Sequence, residues 1–567
     1  MRSTAPDFGR RAWLAGAAGL AAAGLGACSR HNDPSFPSRW IGAAHDRGHH
    51  LRDNKSGALP APAATRRAGV LVVGAGIAGL AVARGLAKAG VDDVQILELE
   101  DAAGGNSRGH VMAGMACPLG AHYLPLPGEH AAEVIELLED LGLRRTEFGR
   151  PVYDERHLCH SPQERLFIDG QWHEGLLPPV EALPAAERET TTAQYRRFAA
   201  AVDRIGAGEA FRLPTARASW TPALAALDAV TFAAWLDHEG FDASALRWYL
   251  DYCCRDDYGA GAAQVSAWAG LHYFASRHGF RAPGAEGEER DGVLTWPEGN
   301  AWLAARLAAP LRERINLGRV VLRVAEQRHE VQVDAWNMAT QQLERWLAAQ
   351  VVLAVPLFVA ARLLEAPPAA LPVAVASMRH SPWLVANLQF DEPPTDRPGA
   401  PPSWDNVIYR SPGLGYVDAM HQSTRPYPGP TVLSAYWALG GESGVQLRAA
   451  RQRLLDTPAA AWAAEVVRDL AQAHPDLAGR VRQIDLMRYG HAMSIPLPGV
   501  RGSTALQALA LGSPRLRFAH ADLSGYSVFE EACFHGSRAA AQTLAALAGP
   551  TSASALRSRP GAPARRG

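Results

Sequence analysis

Apolar and polar positions along the chain alternate between short buried-type strands and amphipathic helices. Val70–Val73 is an apolar run, a helix-like stretch follows, and Val94–Leu97 is a second run, so residues 69–98 read as one βαβ unit. Ala131–Gly142 keeps its apolar residues on one helical face and stops at a glycine. Helical periodicity recurs between 186 and 280, at Thr231–Glu239, Ala243–Asp251 and Gln264–Arg277, with Trp235, Trp248, Tyr252, Trp268 and Phe274 as expected core aromatics. Residues 317–336 alternate like a hairpin, with Val320–Leu322 expected opposite Val331–Val333. Ala349–Pro356 is a nearly continuous apolar strand closed by proline, which suits a buried parallel sheet. A β-rich stretch follows at Trp383–Phe390, Asn406–Tyr409, Gly415–Met420 and Thr431–Trp437. Last come a strand at Leu516–Phe518 and a helix from about Glu530 to Leu547. The expectation is an α/β domain built from 67–150, 291–370 and 506–548. A second, α+β domain made of 151–290 (mainly helical) and 371–505 (β-rich) is inserted into it.

The N-terminus adds a different signal. Arg10-Arg11 precede Ala12–Ala27, 16 residues with the small-residue bias of an export signal and too short for a spanning helix. The pair resembles a twin-arginine signal, although Gly9 stands where Ser or Thr is usual and Ala15 replaces the common Lys. Leu25–Cys28 resembles a lipobox, which makes Cys28 the lipidated first residue after cleavage; an ordinary secretory signal with a chance cysteine is the alternative. Residues 1–28 are thus expected to be an export signal, 29–66 a tether, and 549–567 a disordered tail. The expected location is the periplasm, anchored to the membrane through lipid on Cys28.

Loss of residues 1–27 moves the net charge from −1 to −3, and nothing left is basic enough to make nucleic acid an expected partner. Lysine occurs only at Lys55 and Lys88, so arginine carries nearly all the positive charge. The six cysteines show neither metal-ligand nor haem-attachment spacing, and no metal is expected. With Cys28 committed to lipid, five remain, which argues against a disulfide framework.

The sharpest chemistry lies in the first βαβ unit. Gly74, Gly76 and Gly79 form a G-x-G-x-x-G turn between strand and helix. Gly74 permits the turn, Gly76 lets backbone approach a pyrophosphate, and Gly79 lets helix and strand pack closely. The opening residues of the helix, Ile77 and Ala78, present N–H groups to the phosphates. Glu98 ends the second strand, where an acid accepts hydrogen bonds from ribose hydroxyls.

Four segments carry a family resemblance: Val70–Glu98; Leu97–Gly105; Ala354-Val355-Pro356; and Arg515–Asp522 continuing through Gly525-Tyr526 and Glu530–Ala540. On these the chain resembles the FAD-dependent amine oxidases of the monoamine and polyamine oxidase class, within the glutathione-reductase-like flavoprotein fold. The resemblance implies a Rossmann-type FAD-binding domain with an inserted substrate domain. It implies oxidation of an amine or polyamine to an imine by hydride transfer to flavin N5, with electrons passing to oxygen.

Carried over residue by residue, Gly74, Gly76 and Gly79 hold the pyrophosphate, Glu98 the adenosine ribose, and Gly104-Gly105 pass close to the phosphates. Arg108 stands nearby, with Asn106 where the family usually has arginine, and Asp522 stands for the C-terminal acid near the ribityl–pyrophosphate region. Leu119–Tyr123 resembles the loop that reaches the isoalloxazine. No cysteine occupies the family's attachment position near Asp522, so FAD is expected to be noncovalent.

One departure bears on electron transfer. The family's lysine near flavin N5 should fall within Met378–Phe390, and that stretch contains none. Its absence makes a quinone or redox-protein acceptor an equal alternative to oxygen. Trp383 is the residue expected near its place. Tyr526 is expected to form an aromatic wall carrying the substrate nitrogen over its ring, and His491 to exchange protons near neutral pH. Asp251–Tyr258 and Ser403–Tyr409 are further polar clusters, the first read either as a cation-attracting entrance or as a solvated turn. Two other functions fit the same fold: a flavin desaturase or isomerase of an apolar substrate, and a non-enzymatic flavin-binding partner protein.

Overall fold

The computed structural model describes residues 36–53, 59–159, 163–206, 210–283 and 292–548. The expected export signal, Cys28 and the expected tail from 549 lie outside these residues.

Five parallel strands form the cofactor-type sheet, in the order Ile315–Asn316, Val94–Leu97, Ala64–Val73, Gln342–Leu353 and Leu516–Phe518. They come from the start, middle and end of the chain, so the second domain is inserted. Both faces are covered, which is why these strands read as unbroken apolar runs. Val70 and Val72 face the Ile77–Lys88 and Phe529–Ala548 helices, whereas Leu71 and Val73 face the Leu357–Leu363, Ala370–Ser377 and Thr504–Leu511 helices. The first two helices pack closely because small residues meet at their contact. A Cβ on Gly85 would lie 2.9 Å from Ala540 Cβ, and one on Gly536 would run into Ala78 O.

The hairpin forms, but in a different register. Val324 pairs with Val333 and Val320 with Trp336, because a four-residue turn, 327–330, sets the pairing. On the side away from Ala64–Val73, Gln342–Leu353 serves two partners: its first half pairs antiparallel with Val331–Asn337, and Val351–Leu353 pair with Leu516–Phe518.

The inserted domain is an eight-stranded sheet. Its long central strand, His380–Phe390, lies between Val481–Ser494 and Thr431–Ala438. Trp383 and Val385 point to an aromatic helical layer that includes Phe232, Trp235, Tyr252 and Trp268. Leu384, Ala386, Leu388 and Phe390 point to the opposite side, against Trp462 and Val466.

The tether expected over 29–66 is corrected within its described part. Ser38–Trp40 is a strand that adds in parallel to the sheet edge at Ile484–Leu486, and Ala64–Arg66 already belongs to the first parallel strand. Phe36 is buried against the Trp462 side. Arg39 holds the fully buried Asp485 through two hydrogen bonds of 2.9 and 3.0 Å, and His110 Nε2 lies 2.8 Å from the same carboxylate. The chain then crosses to the cofactor domain, where Ala44 N donates to Glu100 and Arg47 to Leu99 O (3.0 Å) and Asp101 (2.7 Å). Polar, proline-rich sequence gave no periodicity to reveal this; the partners lie from 52 to 446 residues away.

Burial would push the Asp485 carboxyl up, but hydrogen bonds from Arg39, Gln483 and His110 hold it below the usual range. Its contribution to stability is therefore present above the ordinary carboxylate pKa and lost as pH falls through the lowered one. Asp485→Ala is expected to release the 36–53 segment, seen as cleavage there by a protease about tenfold faster, with the remaining domain resistant.

Candidate functional site

A cavity of about 430 Å³ runs between the two domains. One end is the glycine cradle. Gly74 has φ +101°, and a Cβ there would sit 2.5 Å from Ala354 O; a Cβ on Gly79 would run into Gly74 O. Around Gly76 the nearest atom to an added Cβ is Gly105 Cα, at 3.9 Å, so space is left open where backbone can meet a phosphate. Gly76 pairs with Gly104 as an isolated bridge, and Gly104 N donates to Ala75 O at 2.8 Å, which fixes the two glycine turns side by side. Gly74, Gly76, Ile77, Ala78, Gly104 and Gly105 line the cavity, while Gly79 lies behind them at the helix–strand contact.

Glu98 is buried and also lines the cavity. Its Oε2 accepts from Ala75 N (2.7 Å) and its Oε1 from Glu100 N (2.9 Å). Burial pushes its pKa up against these two hydrogen bonds. Each oxygen retains a lone pair, so ribose hydroxyls can still donate to it. The cradle therefore fits a dinucleotide: open space at Gly76, helix N–H groups beside it, and an oriented acid at the strand end.

Arg108 was expected among the cofactor contacts, and its position corrects this. It does not line the cavity; its Nε donates to Gly105 O at 3.2 Å and its Nη1 lies 3.5 Å from Glu100, so it braces the glycine turn from behind. Asn106 takes the place on the wall, donating to Ala492 O at 2.6 Å.

Asp522 is fully buried and lines the cavity. Oδ2 accepts from Leu357 N (2.9 Å), at the start of the Leu357–Leu363 helix, and Oδ1 lies 3.0 Å from His380 Nε2. Burial would raise its pKa, but the neighbouring imidazoles, His380 first, hold it well below the carboxylate range. His520 Nδ1 accepts from Asp522 N (3.1 Å) and lies 3.3 Å from Asp522 Oδ1, so both imidazoles pack against this carboxylate. His380 gave no signal in sequence, because it opens a strand whose residues are buried on both faces.

The other end of the cavity is aromatic and acidic. His122, from the Leu119–Tyr123 loop, stacks on Tyr436 at 4.3 Å, and Tyr436 Oη donates to Gly120 O at 3.1 Å. Burial pushes His122 down to about 4, so it is neutral at pH 7. Asp256 and Asp257 come from the last turn of the Ser244–Tyr258 helix and line the wall. The sequence alternatives for this stretch thus resolve to a buried helix end rather than a solvated turn. Gly259 (φ +73°) closes that helix, and a Cβ there would lie 2.5 Å from Ser381 Cβ and 2.6 Å from Trp383 Nε1. This close approach sets the acids beside Trp383.

Burial, with repulsion from Asp257 and Glu164, raises Asp256 to about 7. Burial and the charges of Asp256 and Glu164 raise Asp405 well above its ordinary value. Neither Asp256 nor Asp405 enters an ion pair among the described residues.

Trp383 and Val385 line the cavity from the central strand, and the Trp383 indole N–H is buried without an acceptor among the described residues. Among the described residues no lysine lines the cavity; Lys88 lies on the outside of its helix, paired with Glu136 and Asp140. His491 also lines it, packed 4.6 Å from the Phe358 ring. Burial first, then Arg451, His380 and Arg362, push His491 down to about 3. That corrects its expected role: it stays neutral and is no proton carrier near pH 7.

Tyr526 requires the clearest correction. It does not line the cavity but is 1% exposed in the aromatic core, with its Oη 2.7 Å from Tyr258 Oη and 2.9 Å from His272 Nδ1. Its helix-adjacent turn directs the ring into the inserted domain, whereas a cavity wall requires the opposite face. Tyr526→Phe is expected to lower stability by about 1–3 kcal/mol, from the buried partners left unsatisfied. Thermal denaturation checks this, and turnover should stay within twofold of the parent.

The comparisons agree with this geometry. Putrescine oxidase, in a structure with putrescine bound, superposes with a TM-score of 0.59 at 19% identity, covering 85% of this chain and 100% of its own. Cyclohexylamine oxidase from Brevibacterium oxydans gives 0.59 at 19%, covering 85% and 99%. A fatty acid isomerase from P. acnes gives 0.55 at 16%, covering 84% and 98%, so this fold serves more than one chemistry. No curated protein is significantly similar to the chain. Residues 77–544 match the flavin containing amine oxidoreductases, from the helix after Gly76 to the last helix of the cofactor domain. That match spans most of the chain and both domains, and the protein is therefore a member of this family and an FAD-dependent oxidoreductase.

Proposed function

We propose that the enzyme oxidises an amine or polyamine to the imine, which water then hydrolyses to an aldehyde. The observation that supports this reading is the placement of Asp256 and Asp257 in the aromatic end of the cavity that also holds the glycine cradle. A desaturase acting on an apolar molecule calls for a tunnel without acids, and these carboxyls speak against it.

Gly74, Gly76, Glu98, Gly104 and Gly105 would hold FAD, which when bound would supply a two-electron oxidation of the carbon next to nitrogen. The protein's share is recognition and proton handling. Asp256 and Asp257 draw the ammonium into the cavity, and the Trp383 and Tyr436 rings flank the carbon chain. Amine oxidation requires an uncharged nitrogen, and Asp256, with a pKa of about 7, can take that proton. The neutral imidazoles of His122 and His491 add no competing positive charge to the cavity.

FAD is held noncovalently in this reading, since no cysteine among the described residues lines the cavity; acid precipitation should leave all flavin in the supernatant. With no lysine on the wall, the electrons pass to oxygen or to a quinone or redox-protein acceptor. Export and lipid attachment at Cys28 complete the proposal, and Cys28→Ser should move the protein from the membrane fraction to the soluble periplasm.

Anaerobic addition of putrescine, spermidine and aromatic amines to the purified holoenzyme tests the central claim. Bleaching of the oxidised flavin band by one of them supports it, and the recovery rate in air reports on oxygen as acceptor. A band that persists through the whole panel overturns it.

A further inference from the structure

A second recess, of about 200 Å³, shares His380 and His491 with the wall of the cofactor cavity. Its floor is apolar, formed by Leu357, Phe358, Val375 and Met378. Its rim is basic: Arg362, Arg379 and Arg451 line it. Among the described residues none of the three has an ion-pair partner. Arg451 is half-buried, and its Nε and Nη2 donate to Gly490 O (2.6 Å) and His380 O (2.9 Å), both uncharged acceptors. Arg379 donates only to the carbonyls of Ala376 and Met378. Arg448 brings a fourth cation: a Cβ on Gly444 would lie 3.7 Å from Arg379 Nε and 3.9 Å from Arg448 Nη1.

Some arginines elsewhere meet carboxylates, as Arg165 meets Asp396 and Arg345 meets Asp334, whereas Arg517 and Arg538 are isolated and bond only amide or carbonyl oxygens. The recess differs in gathering three unpaired arginines around one apolar floor. No acid lines the recess among the described residues, and Asp522, behind His380, is already held by that imidazole and by Leu357 N. The recess therefore gathers positive charge that the protein does not neutralise. Burial, Arg451 and Arg362 also depress His491, so its side chain supplies no countercharge to the recess.

We infer that the recess binds a small organic anion, its acidic head on Arg362, Arg379 and Arg451 and its compact apolar body on the Leu357–Met378 floor. Guanidinium groups match the geometry of a carboxylate or phosphate head through paired N–H donors. A bare inorganic ion would satisfy the rim and leave the floor wet. A neutral molecule would fill the floor and leave the like charges uncompensated. The shared His380–His491 wall makes the cofactor cavity the first neighbour to sense the bound charge. This inference does not depend on which amine is oxidised.

Calorimetric titration of the holoenzyme with hexanoate tests it, with hexan-1-ol and inorganic phosphate as comparisons and Arg362→Gln/Arg379→Gln as the variant. Both side chains are exposed, and unchanged flavin content and melting temperature verify the variant's fold. The expected result is one hexanoate per chain, bound at least about tenfold more weakly by the variant and at least about tenfold more tightly than either comparison ligand. Absence of saturable hexanoate binding, or equal binding by the variant, overturns the site. Phosphate binding as tightly as hexanoate overturns the apolar body, and hexan-1-ol doing so overturns the anionic head.

Discussion

Gly76→Ala is expected to yield a folded protein that purifies without flavin. Gly76 has φ −71° and ψ −179°, which alanine adopts freely, and the nearest atom to the new methyl is 3.9 Å away. Nothing in the polypeptide resists the change, so the melting temperature of the apoprotein should move little. The methyl instead occupies the space through which the turn approaches a pyrophosphate, and a displaced phosphate loses its charge-assisted backbone hydrogen bonds. At roughly 1.5–3 kcal/mol for each such bond, loss of two weakens FAD binding by about 100-fold or more.

Gly79→Ala supplies the contrast. Its methyl would collide with Gly74 O inside the strand–helix contact, so the cradle itself must deform and the protein should lose stability as well as flavin. Flavin absorbance per chain and thermal melts of both variants separate the cases. A Gly76→Ala protein with full flavin would remove this turn from the cofactor site.

The second large effect is expected at Asp256. Its carboxyl holds a proton up to about pH 7 because burial and its acidic neighbours disfavour the charge. A bound ammonium reverses that preference, and binding then releases the proton. Affinity for spermidine should therefore rise by up to about tenfold per pH unit as pH climbs toward 7, then level off. The amine groups stay protonated through this window and contribute no slope of their own.

Without ligand the sign is opposite. The folded protein binds more protons at Asp256 than the unfolded chain does, so stability falls as pH rises from about 4 to about 7. Asp256→Asn should abolish the pH step in binding and remove Asp256's share of the stability trend, while that of Asp405 and Glu98 remains. It should also weaken spermidine binding by roughly 10- to 100-fold, the worth of one charged hydrogen bond in a buried site. Binding isotherms from pH 5.5 to about 8.5 check this. A variant that keeps the parent's affinity and pH step would locate the cation elsewhere.

Local features of the chain determined a good deal. The glycine spacing 74–76–79 dictated a turn, because backbone conformation and close approach are properties of single residues. The apolar runs 70–73, 94–97 and 516–518 dictated strands covered on both faces, and their order along the chain dictated an inserted domain. Glu98 was legible because a strand end has only one place to be relative to the turn it follows.

Direction across a buried element was not legible. In His380–Phe390 both faces are apolar, so no alternation marks Trp383 and Val385 as cavity residues and Leu384 as core. Tyr526 and Asp522 are four residues apart, yet one enters the aromatic core and the other the cavity, and only packing against the inserted domain chooses. Arg108 and Asn106 divide inside from outside of the same turn in the same way. The charges of Asp256, Asp522 and His491 depend on neighbours brought from other segments, and the strap at 36–47 depends on Asp485 and Glu100. The sequence by itself determined where backbone could turn and which strands must be buried. The tertiary structure alone decided which side chains face the cavity and what charge they carry there, because both depend on distances between residues far apart in the chain.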